Sequence, residues 1–182
     1  GIRVDIDTEV CKIKGVLKFR QMSPLKYNIM GPFVCMPFME CRHQVWSMRH
    51  LVSGKISVNK KEYLFSDDLG YWEGDEGYSF PHKYVWTQCF FKEGSIMLAV
   101  ADIPMFGIHF TGIIGVVLWE GKEYRIATYF GAKASEIKNR TVKVVQRGLK
   151  LEAQLLEDTG YQLQAPVNGS MAVSYTHLTL PT

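Results

Sequence analysis

The chain has no CxxC pair, no run of Lys or Arg longer than Lys60-Lys61, and no long stretch with a convincing helical period. Each absence closes off a class. Four cysteines, Cys11, Cys35, Cys41 and Cys89, without paired spacing or a visible signal peptide are expected to be reduced and buried. Cys35, Cys41 and His43 lie close in sequence, but the gap is too long for a zinc knuckle and there is no fourth ligand, so no metal site is expected. A net charge of +3 without a basic run argues against a nucleic-acid groove or a polybasic membrane tether. The longest apolar stretch, Ile103 to Trp119, is broken by Pro104, Gly107, His109, Gly112 and Gly115. It therefore reads as two buried strands joined around Pro104 to Gly107 rather than as a membrane span.

What the chain does have is apolar and aromatic material. Its 182 residues are 47% hydrophobic and 13% aromatic, with four Trp and nine Tyr, enough for one domain with a good core. Such an aromatic share suits either a β-rich core or a pocket for a large apolar ligand. Turn signals recur at Ser53-Gly54, Asn59-Lys60, Glu93-Gly94, Glu120-Gly121, Asn139-Arg140, Arg147-Gly148 and Asp158-Thr159-Gly160. The Val-, Ile-, Tyr- and Thr-rich runs between them predict an antiparallel meander, and the flanking turns make even Leu149 to Glu157 a strand. Strands apolar on both faces recur in barrels that enclose an apolar cavity.

Polar residues among the apolar ones mark candidate sites. In "ECRHQVWSMRHLV" strand alternation puts Arg42, Gln44, Trp46, Met48 and His50 on one side and Cys41, His43, Val45, Ser47, Arg49 and Leu51 on the other. Neither face is clean. A Trp and a His sharing a face suit a cavity wall with a few polar groups; the plainer reading is a half-exposed strand with a satisfied histidine. In the strand Tyr84 to Phe91, Tyr84, Trp86, Gln88 and Phe90 share a face, so one amide is held among three aromatics, which is equally compatible with core packing.

The segment "GYWEGDEGYSFP", Gly70 to Pro81, gathers Glu73, Asp75 and Glu76 among Tyr71, Trp72, Tyr78 and Phe80. If it is extended, Glu73 and Asp75 share a face, and in a poorly hydrated site one carboxyl is expected to stay protonated and act as a general acid. If Gly70, Gly74 and Gly77 mark a solvated loop, the acids are unremarkable there. Composition leaves both readings open.

The segments "GPFVCMPFMECRHQVWSMRH", "GYWEGDEGYSFPHKYVWTQ", "FTGII", "RIATYFGAK" and "APVNG" resemble, in order and spacing, the tocopherol cyclase-like family, which is similar in turn to the carotenoid 1,2-hydratases. The resemblance runs from Cys11 to Met171. It implies an all-β, antiparallel, lipocalin-like (calycin-type) barrel or half-barrel, part of a two-barrel protein. The implied reaction is acid-catalysed cyclisation of a prenylated hydroquinone, or a related hydration of a prenyl alkene. That chemistry needs no metal and no redox cofactor. It needs a desolvated acid, a base for the phenol proton, and π-faces beside a transient cation. Glu73 or Asp75 is then the acid. Trp72 and Trp86 supply the π-faces, with Trp46 and Tyr78 also lining the ligand, and His43, His50 or Gln88 orients or deprotonates the phenol. The family pattern Glu-Lys-Asp-Trp-Gly-x-Ser-Phe-Pro is altered here, with Gly74 for the Lys and Glu76 for the Trp; Trp72 lies on the same side as position 76 in an extended strand.

A lipocalin-like protein that binds a lipid or isoprenoid without transforming it is the competing expectation, and a structural or carbohydrate-facing β-domain is a third. The partner expected is a large apolar small molecule, with no nucleic acid. The setting expected is cytoplasmic with peripheral membrane contact, since an apolar substrate must be collected from a bilayer. The ends read as artificial. The chain starts within a strand at "IRVDID", so the N-terminal half of the same protein is expected to be missing. "VSYTHLTLPT", Val173 to Thr182, matches an in-frame translation of a sequencing adapter. Residues 1–172 are then the β-domain, and His177 carries no function.

Overall fold

The computed structural model describes residues 1–37, 39–81, 83–105, 107–138, 141–155, 161–164 and 170–173. Thirteen strands are found there: β1 (Ile2–Asp7), β2 (Lys12–Arg20), β3 (Cys41–Val58), β4 (Lys61–Gly77), β5 (Tyr84–Phe91), β6 (Gly94–Met105), β7 (Ile108–Trp119), β8 (Lys122–Ala127), β9 (Lys133–Lys138), β10 (Thr141–Gln146), β11 (Leu149–Gln154), β12 (Tyr161–Gln164) and β13 (Ser170–Val173). Two short 3-10 helices, Gly31–Cys35 and Thr128–Phe130, are the only helical turns among the described residues. The protein is all-β, with antiparallel neighbours in the orders β1-β2-β3-β4, β5-β6-β7-β8, β11-β10-β9 and β12-β13. Among the described residues no sheet closes on itself, so the expected barrel is not formed as a continuous cylinder. No described helix is long and apolar enough to cross a membrane. The segment read as a sequencing adapter lies outside the described residues beyond Val173, as do the turn signals at Asn139-Arg140 and Asp158-Thr159-Gly160.

Two compact units divide the chain. The first is Gly1–Leu25 with Trp46–Glu73, and the second is Lys26–Val45 with Gly74–Thr182. In the first unit the register sets Ile2 opposite Leu17, Ile6 opposite Ile13, Ile13 opposite Val58 and Phe19 opposite Val52, so one sheet face is apolar. The reverse face carries the cross-strand pairs Asp5–Lys14 at 3.2 Å and Asp7–Lys12 at 3.0 Å. Such exposed pairs fix register more than they add stability. Ser53-Gly54, read above as a turn, lies inside β3 instead. Gly54 takes φ +138°, and a Cβ there would strike the Val16 carbonyl, so the glycine permits close strand approach and not a reversal.

In the second unit the strands turn where expected, at Glu93, Glu120-Gly121 and Arg147-Gly148, and the apolar run does fold as two strands, β6 and β7. Direct partners across β5 to β8 share a face. Val85, Leu98, Val100, Ile113, Val117 and Ile126 lie on one side and pack with Ala132, Val142 and Val144 of the β9-β10-β11 region into a single core. Burying each aliphatic side chain is worth roughly 1.5–3 kcal/mol, so this cluster is the unit's main source of cohesion. The opposite face carries Tyr84, Trp86, Gln88 and Phe90 of β5, with Ser95, Met97, Ala99 and Ala101 of β6 directly across from them. Arg125 and Glu123 anchor the incoming chain of this unit. Arg125 donates to the Tyr27 and Asn28 carbonyls at 2.6 and 3.1 Å, and Glu123 accepts the Lys26 N–H at 2.6 Å.

Candidate functional site

The clearest polar cluster of the second unit grows from the ends of two strands. At the start of β3 the inward positions are the odd ones: His43 and Val45 are buried, and Cys41 shares their side because residues two apart on a strand do. Asp75, near the end of β4, meets both. His43 Nδ1 lies 2.8 Å from Asp75 Oδ1, and the Cys41 thiol donates to the same oxygen at 3.4 Å. His43 is 8% exposed, whereas the Asp75 side chain retains 38% of its surface. The segment around Asp75 is thus a strand through Gly77, with Asp75, Glu76 and Gly77 on its exposed stretch.

Desolvation pushes the Asp75 carboxyl upward, but the hydrogen bond and charge of His43, with the thiol bond of Cys41, outweigh it and hold it below its usual 3.8. For Asp75 the direction is the opposite of that expected of a crowded carboxyl. Cys41 is driven to about 12, by burial first and the Asp75 charge second, so it serves as a neutral donor and not as a nucleophile. Tyr84, at the start of β5, is also raised to about 12, chiefly by burial and then by the charges of Asp75 and Cys41. It keeps its proton and stacks on Phe80 at 6.2 Å. Along the same face follow Trp86, which is not exposed, and Gln88, whose Nε2 is buried without a hydrogen-bond partner among the described residues. Tyr78 of the same unit is 45% exposed and is fixed by its backbone N–H, which donates to the Glu40 carbonyl at 3.0 Å.

The other expected site residues fall in the first unit. Glu73 accepts a 2.7 Å hydrogen bond from Tyr71 Oη, so the two acids of the motif belong to different units and have different partners. His50 is buried, with Nδ1 3.1 Å from Ser47 Oγ and its ring 4.7 Å from that of Phe19. A Cβ on Gly70 would strike His50 Nε2 and Val52, so Gly70 is what lets this ring approach β4 closely. Burial lowers the His50 pKa from 6.5, which keeps the imidazole neutral. Trp46 and Trp72 face each other at 5.3 Å, Trp72 lies 5.8 Å from Phe19, and both indoles remain partly exposed.

Sequence reasoning missed Cys41 and Tyr84 as members of the cluster. Cys41 stands two residues before His43, and the strand period alone puts it on the same side. Tyr84 was legible as a face-mate of Trp86 and Gln88, but nothing local tied it to Asp75.

The architecture and the cluster define an all-β protein in which a buried imidazole meets a partly exposed carboxylate beside an aromatic sheet face. The sequence pattern of the tocopherol cyclase-like family matches residues 10–144, more than half of the chain and all of this cluster. The chain belongs to that family. Comparison with curated proteins and with solved structures returned no match.

Proposed function

We propose that the protein is an acid–base catalyst acting on a large apolar prenyl compound, and that it cyclises a prenylated hydroquinone or hydrates a related alkene within a lipocalin-like fold. The His43–Asp75 contact at 2.8 Å is the observation that carries the reading. A carboxyl whose conjugate base is stabilised by an imidazole and a thiol is the stronger donor whenever it holds a proton, at the expense of how often it holds one. Asp75, in its protonated form, gives that proton to the less substituted alkene carbon, and the alkene π pair forms the new C–H bond. The tertiary cation left behind is faced by Trp86. A lone pair of the phenol oxygen closes the C–O bond, and the phenol proton returns to the His43–Asp75 pair. One proton leaves the pair and one comes back, so the step balances without an oxidant or a reductant. Tyr78 of the same unit takes a ligand-lining role in this reading. The hydrophobic substrate is drawn from a bilayer.

Turnover of a prenylated hydroquinone in deuterated water tests the proposal. Ring closure with one carbon-bound deuterium per product is expected; neither ring closure nor deuterium over a panel of prenyl lengths sinks it. One observation favours the second reading, a lipid- or isoprenoid-binding protein without catalysis: the depressed Asp75 carboxyl is ionised at neutral pH. Saturable binding of the same compounds with no ring closure at any pH supports that reading instead.

A further inference from the structure

The β5–β6 face of the second unit ends in two polar groups that the proposed proton transfer does not use. Gln88 Nε2 and Ser95 Oγ are both buried with no hydrogen-bond partner among the described residues, and Ser95 is 0% exposed. Gln88 pairs with Met97 and Phe90 with Ser95, so Gln88 and Ser95 are diagonal cross-strand neighbours. At the ~7–8 Å typical of such positions an amide and a hydroxyl can meet one common ligand atom. Both are donors, and the serine hydroxyl can also accept. Leaving a buried donor unsatisfied costs about 1–3 kcal/mol, and two such groups side by side are unusual in a native interior.

Along β5 the Gln88 position is four residues from Tyr84, on the same face, with Trp86 between them. That separation is roughly 13 Å along the strand, about the span of an aromatic ring with an oxygen at each end plus a hydrogen bond from each. We propose that Gln88 and Ser95 form a second polar subsite, which reads a hydroxyl or carbonyl oxygen at the end of the ligand's ring remote from the His43–Asp75 pair. They are specificity-determining residues. This rests on the reading of the site as one for an oxygen-bearing ring compound, but it is a statement about binding and not about turnover.

The test uses two probes, a prenylated 1,4-hydroquinone and the matching prenylated phenol without the second hydroxyl, titrated calorimetrically into the full chain. Wild type is expected to bind the hydroquinone about tenfold or more tightly. Ser95→Ala and Gln88→Met should each bring that preference close to parity while leaving phenol affinity unchanged. Because both groups are unsatisfied in the free protein, neither variant should lower the melting temperature, so loss of preference cannot be put down to misfolding. A preference that survives in both variants overturns the subsite, as does wild type that binds the two probes equally or binds neither. If the preference collapses as expected but no ring closure is ever seen, the subsite stands and the cyclase reading falls. Turnover without any preference removes the subsite alone.

Discussion

His43 and His50 stand on the same strand and both rings are buried, yet their surroundings differ in charge. His43, in the second unit, faces a carboxylate that also accepts a thiol, so a positive imidazole there has a counter-charge and a proton has somewhere to go. His50, in the first unit, has a serine hydroxyl, a phenyl ring and the backbone of Gly70 around it, and burial holds it neutral. Burial is thus common to both rings, and the charge of the partner is what separates them. One strand supports both because its buried side changes. His43, Val45 and Ser47 are buried in the first part, and Met48, His50 and Val52 in the second. Ser47 marks the change: its hydroxyl accepts the Ser23 N–H at 3.1 Å and donates to the Arg49 carbonyl at 3.0 Å.

The contrast breaks most sharply at Asp75. Asp75→Asn should lower kcat by about 10²–10⁴-fold while ligand affinity stays nearly intact, because the amide keeps the shape but loses the proton to transfer. Equal loss of kcat and affinity would assign Asp75 a structural role. Gly70→Ala acts on the other histidine. It forces a methyl group into the His50 ring and should cost about 1–3 kcal/mol of stability, read as a lower thermal midpoint. An unchanged midpoint would mean that the ring is not held against β4.

Acid pH separates the two histidine sites further. The folded-state pKa of His50 lies below 6.5, so the unfolded chain takes up that proton first. Stability is then full above about pH 6.5 and falls below it, by no more than about 1.4 kcal/mol per pH unit for one proton. Thermal melts at pH 7.5 and 5.5 should show this loss in wild type and less of it in His50→Gln. Asp75 opens its own window lower. Its depressed carboxyl stabilises the fold above its unfolded value of 3.8, and that contribution is lost only as pH falls through the lower folded value. Tyr84→Phe should have the smallest effect. It removes a buried hydroxyl that has no partner among the described residues, so stability should stay level or rise slightly, with any activity change well short of that of Asp75→Asn.

Much of the strand plan was legible in the sequence, because turns and apolar runs are local signals. The hairpin at Arg147-Gly148 and the division of Ile103 to Trp119 into β6 and β7 follow directly from them. Ser53-Gly54 misled because a glycine needed for close strand approach looks like a turn glycine until its neighbour, Val16, is known. "ECRHQVWSMRHLV" gave no clean face for a related reason: the strand changes its buried side midway, and a single alternation cannot describe it. The candidate site was less legible. Glu73 and Asp75 read as a pair from their spacing, but each has its own partner: His43 and Cys41, distant in sequence, for Asp75, and the neighbouring Tyr71 for Glu73. The direction of the Asp75 shift depends on those partners and so could not be read from composition.

The central claim, that the proton comes from the Asp75–His43 pair, is tested most directly by the single-turnover rate of ring closure as a function of pH between 5 and 8. The account predicts a rate that falls as pH rises, since a carboxyl held below 3.8 is protonated less often at each step upward. A rate that stays flat or climbs across that range would contradict it.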